Sequence, residues 1–289
     1  MTTWNVNFLN LSHSTSDSIS KSKLASWCPC GCSTKHWYAL IILNQPFSLP
    51  LLQRLWTNTS WRCCADGGAN RLYDLLRSHH IDLRSYLPDL IKGDLDSLRY
   101  DVREYYESQG VPVVHDTCQY STDLMKCVNT LQIKEENEMQ TDSTLVNGEV
   151  KPEQYEIIIL GGLAGRLDQT IHTLSYLHKL RKSRRRVFAV TDDNVGWVLD
   201  SGEHHIHIDH SLLGQTCGLL PVGIDETILS TSGLRWNLTD HPSSFDGLVS
   251  SSNHLVPGED VVWVKTSKPI WWTAELRPLG KGVLTNGTP

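Results

Sequence analysis

Four short apolar runs in this chain each stop abruptly at a cluster of Gly, Asp and other polar residues, and this repeat constrains the fold more than any other feature. The clusters read Asp66-Gly67-Gly68-Ala69-Asn70, Gly93-Asp94-Leu95-Asp96-Ser97, Gln119-Tyr120-Ser121-Thr122-Asp123, and Gly161-Gly162-Leu163-Ala164-Gly165-Arg166-Leu167-Asp168. In an open parallel sheet, the loops beyond the carboxyl ends of the strands share one rim, where ligands bind. Four such clusters on one rim predict a metal–phosphate site.

The runs alternate with helical patterns. Strands are expected at 38–43, 61–65, 89–92, 111–114, 155–160 and 187–190. Helices are expected at about 69–77, after the third cluster (Leu124, Cys127, Val128 and Leu131 at helical spacing), and after the fourth (Ile171, Leu174 and Leu177). This order predicts a Rossmann-like α/β domain with a mostly parallel sheet over 36–200. Acids crowd 133–154 beside Asn147-Gly148 and Pro152, which reads as a solvated loop or insertion. Residues 1–35 are rich in Ser, Thr and Asn and read as a flexible or loosely docked extension. From 201 to 289, short strand-like runs broken by Gly, Pro, Asn and Asp predict an all-β sandwich.

Composition narrows the function. A net charge of −6 over 289 residues argues against a nucleic-acid binder. No stretch approaches the roughly 20 apolar residues of a membrane span. Eight cysteines without framework spacing favour a reducing compartment, so a cytoplasmic location is expected. Cys28, Cys30 and Cys32 lie near His36, but their C-x-C spacing reads as an incidental Cys-rich stretch rather than a zinc site. The basic run Lys179–Arg186 reads as a solvated helix end rather than a phosphate patch. His204, His205, His207 and His210 read as an exposed strand face rather than metal ligands.

The clusters carry the chemistry. Asp94 and Asp96 are two apart, so in an extended segment both carboxylates face one side and can share a cation. Magnesium is held by one or two carboxylates plus substrate phosphates, and Asp123 offers a third oxygen from the next strand end. Lys126 lies one helical turn from Asp123 and suits a phosphate, although an ion pair with a Thr122 or Asp123 N-cap explains the same residues. Gly67-Gly68 and Gly161-Gly162 let the backbone approach a ligand closely before a helix N-terminus. Arg166 supplies a planar donor fork, and Asp168 either caps the helix or positions a hydroxyl. With neither a full G-x-G-x-x-G nor a Walker lysine motif, the residues point to a magnesium-dependent enzyme acting on phosphoanhydrides.

At these positions the chain resembles the thiamine pyrophosphokinase family, eukaryotic type. The resemblance rests on Cys64–Asp74, Gly93–Ser97, Ser121–Asp123 and Leu160–Gln169, with tail segments Gly233–Leu238, Leu248–Asn253 and Trp271–Thr273. It departs at Cys118, where many members carry an acid, and at Ser121, often His. The resemblance implies pyrophosphoryl transfer from ATP, as co-substrate, to the thiamine hydroxyl with release of AMP. It implies a homodimer with active sites between subunits and Mg2+ on Asp94, Asp96 and Asp123. ATP is expected near Asp66, Gly67, Gly68, Gln119, Thr122, Lys126, Gly162 and Arg166, with Asp168 or Asp66 open as base. Thiamine is expected against the sandwich near Ser250 and Asn253, with Trp236 or Trp272 as aromatic partner. The alternatives are a magnesium-dependent nucleotide pyrophosphohydrolase and an inactive thiamine or nucleotide sensor.

Overall fold

The computed structural model describes residues 1–10, 37–140, 145–146, 149–150 and 154–279. Its elements in chain order are β1 (Thr2–Trp4), β2 (Tyr38–Ile42), α1 (Leu49–Asn58), β3 (Trp61–Ala65), α2 (Gly68–Ser78), β4 (Leu90–Gly93), α3 (Tyr100–Ser108), β5 (Val113–His115) and α4 (Asp123–Gln140). A two-stranded ribbon follows, β6 (Leu145–Val146) with β7 (Glu149–Val150), then β8 (Glu156–Leu160), α5 (Leu167–Leu180) and β9 (Val187–Val190). The remainder is all strand: β10 (Asn194–Leu199), β11 (Gly202–His207), β12 (Leu213–Leu220), β13 (Glu226–Ser232), β14 (His241–Ser244), β15 (Ser250–His254), β16 (Val261–Thr266) and β17 (Ile270–Leu276).

One ten-stranded sheet runs through the molecule in the order β15-β12-β17-β10-β9-β8-β2-β3-β4-β5. From β9 to β5 neighbouring strands are parallel; from β9 to β15 they are antiparallel. β2 is buried along all five residues, Tyr-Ala-Leu-Ile-Ile, because the parallel half is covered on both faces. Leu51, Leu55, Leu72, Leu76, Val102 and Tyr106 from α1, α2 and α3 cover one face. Leu124, Cys127, Val128, Leu131, Leu177 and Leu180 from α4 and α5 cover the other. Ile171, expected on the inner face of α5, is exposed.

The chain proceeds from β2 outward to β5, then returns to β8 on the other side of β2. That reversal opens a crevice between the carboxyl ends of β2 and β8, where such sheets bind ligands. Beside the antiparallel half stands a second sheet, β1-β11-β16-β13-β14, whose Ile206, Leu229, Val262 and Val264 share one apolar core with the larger sheet. The β-rich part is therefore a sandwich that borrows one layer from the sheet of the α/β part.

Two expectations need correction. Residues 1–10 are docked, since β1 pairs in parallel with β11 and buries Trp4, while Phe8 and Leu9 fill the core behind it. Asn58 Nδ2 donates to Phe8 O at 2.9 Å and Arg54 Nη1 to Leu9 O at 3.1 Å, fixing this segment on α1. Residues 11–35, with the Cys28, Cys30 and Cys32 cluster, lie outside the described residues. The first part of the acidic 133–154 stretch is not a loop: α4 continues to Gln140. Its Glu135 is buried against Arg184, with Nη1 2.6 Å from Oε2, and accepts the Tyr155 amide at 2.8 Å. Burial with two partners anchors the end of α4.

Candidate active site

The four clusters meet on the carboxyl rim of the parallel strands. Asp66 leaves β3 at φ 42°, Asp94 leaves β4, and Asp123 opens α4. One carboxylate oxygen of each lies within 4.8 Å of the others. Asp123 Oδ1 accepts the Asp94 amide at 3.2 Å and the Lys126 ammonium at 3.0 Å. Asp66 Oδ2 accepts the Ser97 amide at 3.1 Å, whereas its buried Oδ1 has no hydrogen-bond partner. Burial pushes the Asp66 carboxyl up, the Ser97 amide opposes this, and Asp123 and Asp96 raise it further. A buried carboxylate with an unpartnered oxygen, beside two more acids, is a poor arrangement without a cation. The donor set, all hard oxygens, fits magnesium, whose opposed ligands stand about 4.2 Å apart at roughly 2.1 Å bonds.

The three acids that converge are Asp66, Asp94 and Asp123, so Asp66 stands where Asp96 was expected. The physical reason is Leu95, held at φ 60°, which breaks the extended geometry that the two-residue spacing presumed. Asp96 is exposed and accepts from Ser97 Oγ at 2.9 Å, while its amide turns back on Asp94 Oδ1 at 3.3 Å. Gly93 makes the convergence possible, because a Cβ there would stand 2.7 Å from Asp66 Cβ and 3.0 Å from Asp123 Oδ1.

Lys126 is buried. Burial alone would lower its pKa, but Asp123, then Asp94 and Asp116, outweigh that and hold it above the ordinary value. Its charge is spent first on Asp123. Thr122 Oγ1 accepts the Met125 amide at 3.5 Å, as a helix cap does, and Gln119 is exposed on the preceding turn. Gly67 and Gly68 are buried beneath the crevice, and a Cβ at Gly68 would lie 2.2 Å from Ile42 O. Arg166 and Asp168 are exposed and paired at 2.6 Å, which raises the one and lowers the other.

Sequence reasoning missed Asn44 and Gln45, which follow β2 at the reversal point. Gln45 Oε1 accepts the Gly162 amide at 2.8 Å and its Nε2 donates to Ala164 O. Asn44 Oδ1 accepts from Arg71 Nε at 2.9 Å. Neither carries a Gly or Asp signal; only their place directly after the central strand marks them. Asn70, quoted only as the end of the first cluster, bridges Ser97 O at 2.7 Å and the Arg99 amide at 3.1 Å with its side chain, locking the Asp94–Ser97 loop.

In the sandwich, Trp236 is 51% exposed and Trp272 fully buried, packed near Trp197. Trp272 therefore offers no open face, while Trp236 carries the Arg235 guanidinium 4.8 Å from its ring centre. Asn253 is buried and grips Trp236 through both backbone groups, accepting its amide at 3.2 Å and donating to its carbonyl at 2.8 Å. Ser250 is half-buried at the start of the edge strand β15.

Comparison with known proteins follows this division. Residues 52–189 match the family model of the thiamin pyrophosphokinase catalytic domain, and residues 203–271 that of its vitamin B1 binding domain. Thiamine pyrophosphokinase 3 of Oryza sativa subsp. japonica is 39% identical over 83% of this chain and 87% of its own length. The chain belongs to the thiamine pyrophosphokinase family. Thiamine pyrophosphokinase of Saccharomyces cerevisiae is 32% identical over 82% of this chain and 85% of its own. The crystal structure of yeast thiamin pyrophosphokinase superposes with a TM-score of 0.75 at 28% identity, covering 96% of this chain and 91% of that one. The structure of thiamin pyrophosphokinase from Candida albicans gives 0.71 at 29%, covering 84% and 90%. The match to both family models thus spans the acid rim and the sandwich alike.

Proposed function

We propose that this chain is an enzyme that transfers the pyrophosphoryl group of ATP to the hydroxyl of thiamine, giving thiamine diphosphate and AMP. The observation that carries the reading is the convergence of Asp66, Asp94 and Asp123, with Asp66 keeping a buried, unpartnered oxygen, in a chain whose two halves match the family's catalytic and vitamin-binding models. Those three acids would hold Mg2+, which when bound supplies charge neutralisation for phosphate oxygens. Lys126 fixes Asp123 in place. Arg166, exposed at the N-terminus of α5, is free to exchange its Asp168 partner for a phosphate. Gln45 holds the Gly161–Gly165 turn open beside the crevice. With little covalent chemistry for the protein to perform, positioning and electrostatics supply most of the rate.

Trp236 is the aromatic face suited to the thiamine cation, with Asn253 keeping it oriented. Ser250, on β15 with Asn253, lies eight strand positions from β4 in the shared sheet, about 38 Å along it at roughly 4.8 Å per strand. This separation along the sheet favours a site completed by a second chain. In this reading the active enzyme is a homodimer, in which the rim of one subunit faces the sandwich of the other. The five described cysteines are all free thiols, which suits the cytosol, and no helix among the described residues is long and apolar enough to cross a membrane.

The test is incubation with ATP, Mg2+ and thiamine while AMP and thiamine diphosphate are quantified. AMP should form only when thiamine is present. AMP formation that ignores thiamine would make the chain a nucleotide pyrophosphohydrolase instead.

A further inference from the structure

The proposed reaction leaves the basic run Lys179–Arg186 unused, and a cavity of about 110 Å3 lies against it. It opens between the carboxyl end of α5 and the edge strand β1, at the end of α5 opposite the acid rim. Arg181, Arg184, Arg185, Asp200, His204 and Trp4 line it. The arginines enter it in three different states. Arg184 is buried and spends only Nη1 on Glu135, at 2.7 and 2.6 Å from its two oxygens. Its Nε and Nη2 meet no protein acceptor among the described residues and are not sealed from solvent. Arg181 is half-buried, its Nε 3.3 Å from Asp200 Oδ1. Arg185 is exposed and has no partner among the described residues.

His204 forms a neutral wall. Its Nδ1 accepts from Trp4 Nε1 at 3.1 Å, and its Nε2 donates to Asp200 O at 2.8 Å, so both ring nitrogens are used. Over the whole run, six cations face only three carboxylates, since Asp200, Glu135 and Glu156 pair with Arg181, Arg184 and Arg186. Of the unpaired cations, Arg185 lines the cavity itself, beside the paired Arg181 and Arg184. The carbonyl end of α5 disfavours an anion, but its field fades within one turn, and Arg181 Nη1 already donates to the His178 carbonyl.

We propose that this cavity is an anion site that takes a phosphate or pyrophosphate group on the free edge of Arg184, with Arg185 and Arg181 closing over it. A guanidinium edge matches phosphate oxygens in pairs, and its burial strengthens the contact. At roughly 10–15 Å3 per water-sized group, the cavity holds about seven to eleven such groups. That accommodates the five heavy atoms of phosphate or the nine of pyrophosphate, but not a whole nucleotide. The site is joined to the catalytic rim by α5, whose 14 residues span about 20 Å and carry Arg166 at their other end, and by α4, which holds Arg184 through Glu135 and opens with Asp123.

The experiment is calorimetric titration of the full chain with inorganic pyrophosphate, and separately with inorganic phosphate, in the presence of EDTA. Without a divalent cation the acid rim repels both anions, which isolates the second site. Wild type should bind one anion per chain, and the tighter of the two identifies the natural group. Arg185→Ala, an exposed position whose loss leaves the fold intact, should weaken binding by about tenfold or more, while Arg166→Ala at the rim leaves it unchanged. Arg185→Ala should also retain thiamine-dependent turnover measured before any anion accumulates. Absence of saturable binding, or binding weakened by Arg166→Ala and not by Arg185→Ala, overturns the proposal. The readout needs neither metal nor thiamine, so it stands or fails apart from the reaction proposed above.

Discussion

Gln45 Oε1 accepts the Gly162 amide at 2.8 Å, so the end of the central strand β2 directly holds the turn that carries Arg166. The turn needs such support: Gly161, Gly162 and Gly165 all adopt positive φ, at 105°, 87° and 83°, and have no side chains to anchor them. Gln45→Ala should therefore reduce kcat/KM for ATP by about 10- to 100-fold, as misplacement of a phosphate-contacting group does. KM for thiamine should stay near wild type, and steady-state kinetics in each substrate separates the two. Gln45→Glu, which keeps the acceptor for Gly162 and loses the donor to Ala164, should recover part of the loss.

Gly93→Ala probes the acid cluster without touching a carboxylate. The added methyl meets Asp66 and Asp123, so one or both acids must move. Overpacking of this kind costs about 1–3 kcal/mol of stability, and turnover should fall by about 100-fold. The diagnostic is a magnesium titration of activity, whose midpoint should shift to higher concentration while thermal unfolding stays cooperative.

The Glu135–Arg184 pair makes a stability claim independent of catalysis. Both side chains are at most 4% exposed. Glu135→Ala leaves a buried arginine uncompensated, which costs about 3–5 kcal/mol. Tm should fall by roughly 6–20 °C for a chain of this size. Turnover at a temperature where the variant is folded should be nearly unchanged. A shift of a degree or less would return this stretch to the solvated loop read from composition.

Docking of the N-terminal strand should depend on pH. Burial holds the His204 imidazole below its ordinary value of 6.5, with the N-terminal ammonium lowering it further against Asp200. A lowered folded-state pKa means that the unfolded chain binds the proton first as pH falls. The stability contribution is therefore complete above about pH 6.5 and is lost as pH drops below it. Tm measured between pH 7.5 and 5.5 should decline. His204→Gln, which keeps an acceptor for Trp4 and a donor for Asp200, should flatten part of that slope, the remainder belonging to His172 and His178, which burial also lowers.

The parallel strands were legible because a strand buried on both faces is a continuous apolar run, and its end is marked where polar ligand-facing residues begin. Leu40 to Ile42 and Ile157 to Leu160 are plain in the chain for that reason. Pairing across long separations left no local trace. β1 looks polar by itself, and its partner strand begins 200 residues later. Glu135 looked solvated because its partner is 49 residues away. Asp66 entered the acid cluster through backbone geometry, since one left-handed residue, Leu95, turned the expected pair apart. α1 and the Asn44-Gln45 pair were not assigned from the sequence: Pro46 and Pro50 interrupt the pattern there, although Pro50 sits in the first turn of the helix, where proline is tolerated.

The central claim is that each active site takes its acids from one subunit and its thiamine pocket from the other. Mixing two inactive variants, Asp94→Ala and the double variant Ser250→Arg with Trp236→Ala, tests it directly after subunit exchange. In a two-fold dimer half the molecules become mixed, and each mixed dimer regains one site with intact acids and an intact sandwich. Activity should return to about a quarter of wild type. If each chain instead builds its site alone, every site retains one defect, and the mixture stays as inactive as its components.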